Sequence, residues 1–395
     1  MAVRELRPGV LSLSALDWNR RLFDSLIPLP DGTTYNAYII TGSKATALID
    51  SSDPAKEREL LENLKNAGVG RIDYIIANHA EQDHSGAIPA VLKEHPEAKV
   101  VASQKCTEFL QDLLHIPAER FKPVGDHERL SLGNKTLEFI HTPWVHWPET
   151  IVTYLQEDKI LFSCDFFGSH IAGSDLYADD EAKVLSSAKR YYAEIMMPFR
   201  AMIKINLEKL SGIDIRLIAP SHGPVHDNPS LILNAYREWT SDAVKNEAVI
   251  AYVSMHGSTE IMVNRLTEGL IKRGITVRQF DLPKTDIGEV AMALVDAVTI
   301  VVATPTVLAG PHPQAVYAAY LANLLRPKLK LVAVMGSYGW GGKMVEQLAG
   351  MITNLKVEVL EPVLVKGLPR EEDLLKVDAL ADAIAKKHSE YKLMD

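Results

Sequence analysis

Thiols are nearly absent from this chain: Cys106 and Cys164 are the only two cysteines among 395 residues. Two cysteines cannot supply a disulfide framework, a Cys-only zinc site or an iron–sulfur cluster. Both are expected as buried thiols of a reducing cytoplasm. Long apolar runs are missing as well. The longest uncharged one, Ala297–Gly310, is too short for a bilayer and is interrupted by Pro305. The stretch Met1–Leu13 lacks the apolar core of a secretory signal. No membrane partner and a cytoplasmic location are therefore expected. Cations do not prevail either, because 42 Lys and Arg against 51 Asp and Glu leave a formal net charge of −9. That is the wrong sign for a general nucleic-acid binder. What is present, 47% hydrophobic and 24% charged residues, is the balance of a globular protein, and the length predicts at least two domains.

Two patterns divide the chain. In residues 1–245 short β-like runs recur at Tyr35–Ile40, Ala45–Ile49, Ile72–Ala77, Lys99–Ser103, Thr136–Ile140, Ile151–Leu155, Ile160–Ser163 and Ile215–Ala219. Few helical patterns separate several of them, which predicts a mixed α+β sandwich. Residues 246–395 alternate instead. Strands are expected at Val249–Ser254, Thr276–Phe280, Val298–Ala303, Leu329–Met335 and Val357–Leu364, with helices between. Met262, Leu266 and Leu270 line one such helix, and Leu374, Val377, Leu380 and Ile384 the last. That order predicts a doubly wound parallel α/β sheet of flavodoxin-like size. The polar segment Thr240–Glu247 is the expected junction.

The densest chemistry follows the strand at Ile72–Ala77. His79, Glu81, Asp83 and His84 offer four ligand groups within one short loop, more than a solvated turn accounts for. Imidazole and carboxylate without thiolate suit iron, manganese or zinc. This string resembles the metallo-β-lactamase superfamily loop H-x-H-x-D-H, with Glu81 in place of the second His. The exchange is typical of the flavodiiron proteins, whose loop reads H-x-E-x-D-H.

Further segments follow in that family's order. Thr142–Pro148 is similar to its L-H-W-P-D segment, with Val145 and Glu149 replacing the flanking Leu and Asp. Phe162–Gly168 resembles the segment of the bridging carboxylate, and Ala219–Pro224 the final ligand segment. The resemblance implies an αββα sandwich holding two irons, one on His79, Glu81 and His146, the other on Asp83, His84 and His222, bridged by Asp165. His84 is the ligand that turns away in some members. His170, close after the bridging segment, is expected to orient a carboxylate or supply protons. His226 and His141 lie outside the matched segments and are expected to bind no metal. His95, His115, His127, His312 and His388 carry no motif and are expected at the surface.

Three loops in the second half complete the pattern. Ser254, Met255, His256, Gly257, Ser258 and Thr259 open a helix with hydroxyls and glycine, a ready anion site. They resemble flavodoxin's T-x-T-G-x-T phosphate loop, with His256 at a place usually held by a hydroxyl. Pro305, Thr306, Val307, Leu308 and Ala309 resemble the family's S-P-T flavin loop without its Asn residues. Ser337, Tyr338, Gly339, Trp340 and Gly341 resemble its G-S-x-G-W-x-G loop. The family then implies FMN as cofactor, reduction of dioxygen to water or nitric oxide to nitrous oxide, and a head-to-tail homodimer or dimer of dimers. It also implies an external donor, a rubredoxin or a deazaflavin coenzyme. The competing readings are a zinc hydrolase of the lactamase superfamily, opposed by Glu81 and the flavin loops, and a non-catalytic electron-transfer flavoprotein, opposed by the filled ligand positions.

Overall fold

The computed structural model of the chain describes residues 3–394, which divide into two compact units. One runs to Tyr191 and resumes over Phe199–Thr240; the other takes Tyr192–Pro198 and the described residues from Ser241 on.

In the first unit a seven-stranded sheet has the order Val3–Arg7, Val10–Asp17, Thr33–Thr41, Thr46–Ile49, Tyr74–Ile76, Lys99–Ser103, Phe121–Val124. A five-stranded sheet follows as Arg129–Ser131, Thr136–His141, Ile151–Leu155, Ile160–Cys164, Leu217–Pro220. Successive strand residues face opposite ways, and here both faces are apolar. Ile40, Ile49, Ile76 and Val101 pack against Phe139, Leu155 and Phe162 of the second sheet. Their neighbours Ile39, Leu48, Ile75 and Val100 instead bury Leu60, Leu64, Val91 and Leu110 of the helices Glu57–Asn66, Ile88–Glu94 and Gln104–Leu114. The later helices Glu181–Tyr191, Arg200–Leu210 and Pro229–Thr240 complete the expected αββα arrangement.

The second unit is a parallel sheet ordered Thr276–Asp281, Lys245–Tyr252, Ala297–Val307, Leu331–Tyr338. This is the flavodoxin-like order expected. Its last position is shared by Glu358–Val359 and Val363–Lys366. The single strand expected at Val357–Leu364 is thus two pieces, because Pro362 has no N–H to give the ladder. Val249, Ala251, Ile300 and Val302 pack on one face against Val290, Leu294, Ala315 and Ala319. Ile250, Val301 and Ala303 pack on the other against Met262, Leu266, Leu270, Val377 and Leu380. Burial on both faces explains the uninterrupted apolar run at Ala297.

His388 is not at the surface. The helix Glu371–Glu390 carries it into full burial, where its ring nitrogens lie 2.7 Å from Asn246 Oδ1 and 2.7 Å from Thr299 Oγ1. Burial pushes the imidazole down from 6.5 to about 4. Between those two values the unfolded chain binds the proton and the folded chain does not, so stability falls as pH drops through that window. His388→Gln is expected to melt lower than the wild type at pH 7, but with a flatter dependence of Tm on pH below 6.5. Equal slopes in thermal melts would show that another group carries the acid sensitivity.

Candidate metal centre and flavin cleft

Four loops of the first unit leave the C-terminal ends of the strands Tyr74–Ile76, Thr136–His141, Ile160–Cys164 and Leu217–Pro220. They bring His79, Glu81, His146 and Asp165 into one group and Asp83, His84 and His222 into an adjoining one. The two oxygens of Asp165 divide the set. Oδ2 lies 3.5 Å from His79 Nε2 and 3.6 Å from His146 Nε2, and Glu81 Oε2 lies 3.1 and 3.0 Å from those nitrogens. Oδ1 lies 2.8 Å from His84 Nε2 and 3.6 Å from His222 Nε2, and Asp83 Oδ2 lies 3.3 and 3.0 Å from those. His84 therefore faces inward.

The chemistry of these atoms fits cations. Both carboxylate oxygens of Asp83 and Oδ2 of Asp165 are buried without a hydrogen-bond partner. Buried polar groups are normally paired, and Asp83 Oδ2 and Asp165 Oδ2 each face two ring nitrogens instead. Burial opposes the charge of Asp165, but His84, His79 and His146 outweigh it and hold the carboxyl well below its usual range. Burial likewise lowers His84, and Asp165 and Asp83 overcome this, raising it to about 9.

The surrounding residues fix the ligand loops. His79 Nδ1 lies 2.6 Å from Glu149 Oε1, and His222 Nδ1 lies 2.6 Å from the Thr34 carbonyl. The Tyr191 hydroxyl donates to Asp165 Oδ1 at 2.7 Å. Asp50 accepts from Asn78 N, Asn78 Nδ2 and Ser221 Oγ at 2.8, 3.0 and 3.1 Å, tying two ligand loops together. Gly223 has φ +81°, and a Cβ there would meet Ser169 Oγ at 2.1 Å, so the turn after His222 requires glycine. His170 stands beside the cluster: its Nδ1 is 2.8 Å from Thr33 Oγ1, its Nε2 is unpartnered, and its ring centroid is 4.7 Å from that of His222. Burial and the neighbouring His222 hold it well below the usual imidazole range. His226 donates to the Phe167 carbonyl at 3.0 Å and His141 lies 3.2 Å from the Val124 carbonyl, both outside the cluster.

In the second unit the three expected loops meet at the C-terminal ends of the parallel strands. They border a cleft of about 180 Å³ lined by Met255, His256, Ser258, Thr259, Pro305, Thr306, Ser337, Tyr338, Gly339 and Gly367. Gly257, at φ +86°, turns the chain into the helix Ser258–Lys272, whose start has no side-chain cap from that position. Ser254 Oγ takes only the Glu260 N–H, at 3.2 Å. A Cβ on Gly257 or Gly339 would meet nothing within 4 Å, which leaves open space in front of both loops. Ser254, Gly257, Val307, Leu308, Ala309, Trp340 and Gly341 do not line the cleft. Leu308 and Trp340 are 93% and 81% exposed. Gly367 lines it and carries no signal in the sequence.

Both halves of the chain match known families. The sequence model described as ODP family beta lactamase matches residues 33–223, and the flavodoxin model matches residues 250–381. A nitric oxide reductase of Moorella thermoacetica is 37% identical over 95% of this chain and 96% of its own length. The rubredoxin oxygen:oxidoreductase of Desulfovibrio gigas superposes with a TM-score of 0.93 at 30% identity, covering 98% of each chain. The flavodiiron protein of Giardia intestinalis does so with 0.92 at 28% identity, covering 100% of this chain and 99% of that one. The chain belongs to the flavodiiron protein family.

Within this flavodiiron chain, residues without a motif support the ligand groups. In the sequence Glu149 stands out only as a departure from the family segment, and Thr34, Asp50 and Tyr191 carry no motif. The partition of histidines is directly testable. His222→Ala is expected to lose bound metal, whereas His226→Ala, which removes only a hydrogen bond to a carbonyl, should keep it. Metal analysis of the two purified variants giving the reverse order would reject His222 as a ligand.

Proposed function

We propose that this chain reduces dioxygen to water, nitric oxide to nitrous oxide, or both, at two irons supplied with electrons by FMN. The observation that carries the reading is the division of seven ligand groups about the two oxygens of Asp165. His79, Glu81 and His146 would hold one iron, Asp83, His84 and His222 the other, with Asp165 between them. A set of imidazoles and carboxylates suits iron, and Glu81 favours the higher oxidation states that a hydrolytic zinc pair never visits. FMN would take the cleft of the second unit, with its phosphate at the start of the helix Ser258–Lys272.

Bound iron supplies redox change, Lewis acidity and a template, and two ferrous ions with reduced flavin hold the four electrons that take dioxygen to water, while nitric oxide needs two per nitrous oxide formed. The protein's own groups orient the centre. Tyr191 holds Asp165 Oδ1 in place through its hydroxyl. His170, kept neutral by burial and tied to Thr33, would orient the groups beside His222 rather than supply a proton. An external donor, a rubredoxin or a deazaflavin coenzyme, supplies the flavin. Among the described residues no helix is long and apolar enough to cross a membrane, and a cytoplasmic site of action is part of the proposal.

Purified protein is expected to contain two irons and one FMN per chain by metal analysis and visible spectroscopy. Zinc without flavin would overturn the reading. Asp165→Asn should lose more iron than any change of a terminal ligand, because a neutral amide leaves two close cations unscreened, while flavin content stays normal. A variant retaining both irons and full gas reduction would remove Asp165 from the bridge.

The active form in this reading is a head-to-tail homodimer, alone or paired into a dimer of dimers, in which FMN of one chain serves the irons of the other. A chain lacking metal ligands mixed with one lacking flavin is then expected to regain activity. Full turnover by a strictly monomeric preparation would contradict the assembly.

A further inference from the structure

We infer that Glu149 makes the two metal positions unequal, by holding His79 through a charged hydrogen bond that has no counterpart on the other side of Asp165. The inference rests on the di-iron reading above. A histidine that gives one ring nitrogen to a metal leaves the other to be oriented by a partner. The charge of that partner sets how strongly the imidazole donates.

On one side, His79 Nδ1 lies 2.6 Å from Glu149 Oε1, with both side chains fully buried. The Ala80 N–H donates to the same oxygen at 3.1 Å. The Ser103 hydroxyl donates to the Glu149 carbonyl at 2.7 Å, so the carboxylate is fixed from its own backbone outward. On the other side, the partner of His222 Nδ1 is the neutral Thr34 carbonyl at 2.6 Å. His84 Nδ1 is buried with no partner at all. Hydrogen bonds to an ionised acceptor are roughly twice as strong as neutral ones. Asp50, the buried carboxylate that interacts with His84, spends its oxygens on Asn78 and Ser221, so only His79 has an imidazole nitrogen bonded to an ionised carboxylate from behind.

The second oxygen of Glu149 strengthens the case. Oε2 is buried without a hydrogen-bond partner, and an ionised carboxylate in that position is stable only beside positive charge. His79 and a cation beyond it supply that charge. Glu149 and a cation at His79 thus stabilise each other through one imidazole ring. The cation held by His79, Glu81 and His146 is the more tightly bound, and an iron there is the last of the pair to be reduced.

The test is an anaerobic titration of metal-free protein with ferrous iron against a competing chelator. Wild type is expected to bind two equivalents of different affinity. Glu149→Gln keeps an acceptor for His79 but removes the charge, and should weaken the tighter equivalent by roughly 10- to 100-fold while leaving the other unaltered. Glu149→Asp, the residue of the family segment, should preserve the difference. Flavin content and melting temperature report whether each variant has folded. A stepwise reduction of wild type followed by electron paramagnetic resonance gives a second readout, in which the half-reduced pair should accumulate, and accumulate less in Glu149→Gln. Two equal equivalents in wild type, equal weakening of both in the Gln variant, or an Asp variant behaving like Gln would overturn the inference. Wild type retaining no pair of metals would instead overturn the di-iron reading itself.

Discussion

A single buried carboxylate, with imidazoles gathered at each of its oxygens, is the constraint around which the first unit is built. Asp165 has His79 and His146 on one side and His84 and His222 on the other. Such an assembly of charge in a dry interior is unstable unless opposite signs alternate at close range. The alternation must come from loops distant in sequence, because no single segment carries enough groups. Four strands, one from the larger sheet and three from the smaller, supply those loops, and the apolar packing between the two sheets holds them together. Asp50, Trp144, Cys164 and Phe167 take positive φ values of 55°, 66°, 52° and 69° next to the ligand loops. Each costs about 1–3 kcal/mol. Fully buried neighbours such as Phe162 and Phe166 pack around this strained path.

The second unit solves a different problem with the same device, loops at the C-terminal ends of parallel strands. Its departure from the family pattern has a visible cost. Leu308 and Ala309 form the tip of a hairpin closed by the pairing of Val307 with Gly310, and both have positive φ, 51° and 64°. Two-residue turns of this kind favour Asn and Gly at those positions. Leucine there is strained and almost wholly exposed. The Asn residues that the family carries in this loop therefore suit the backbone of the turn, whatever contact they make with a flavin.

The ligand groups were legible because each lies in a short, densely functional segment, and such strings are improbable in a solvated loop. The groups that hold the ligands were not. Glu149 lies seventy residues from the His79 it orients, Tyr191 twenty-six from Asp165. A lone acid or tyrosine is too common in sequence to single out. The doubly wound unit was legible from alternation of strands and helices, except where Pro362 divides the last strand, a break that proline chemistry makes readable. The edge strands Val3–Arg7 and Phe121–Val124 escaped because they carry charged side chains and lack an apolar run. His388 escaped for the opposite reason. A histidine near the end of a charged helix reads as surface until the helix is laid across the strands Lys245–Tyr252 and Ala297–Val307.

The acidic bias of the centre explains why the same fold serves redox chemistry here rather than hydrolysis. A hydrolytic pair keeps constant charge, and the superfamily loop that holds it has an imidazole where this chain has Glu81. A pair that cycles between ferrous and ferric changes its charge by two within an interior where each unbalanced charge is costly. Glu81, Asp83 and Asp165 lie among the imidazoles and Glu149 stands behind one of them. Asp50 is buried between two ligand loops as well, so anionic groups surround the centre from several sides. Oxidation adds positive charge to the interior, and its cost is lowest where the anions are densest, on the side of Asp165 that carries both Glu81 and Glu149.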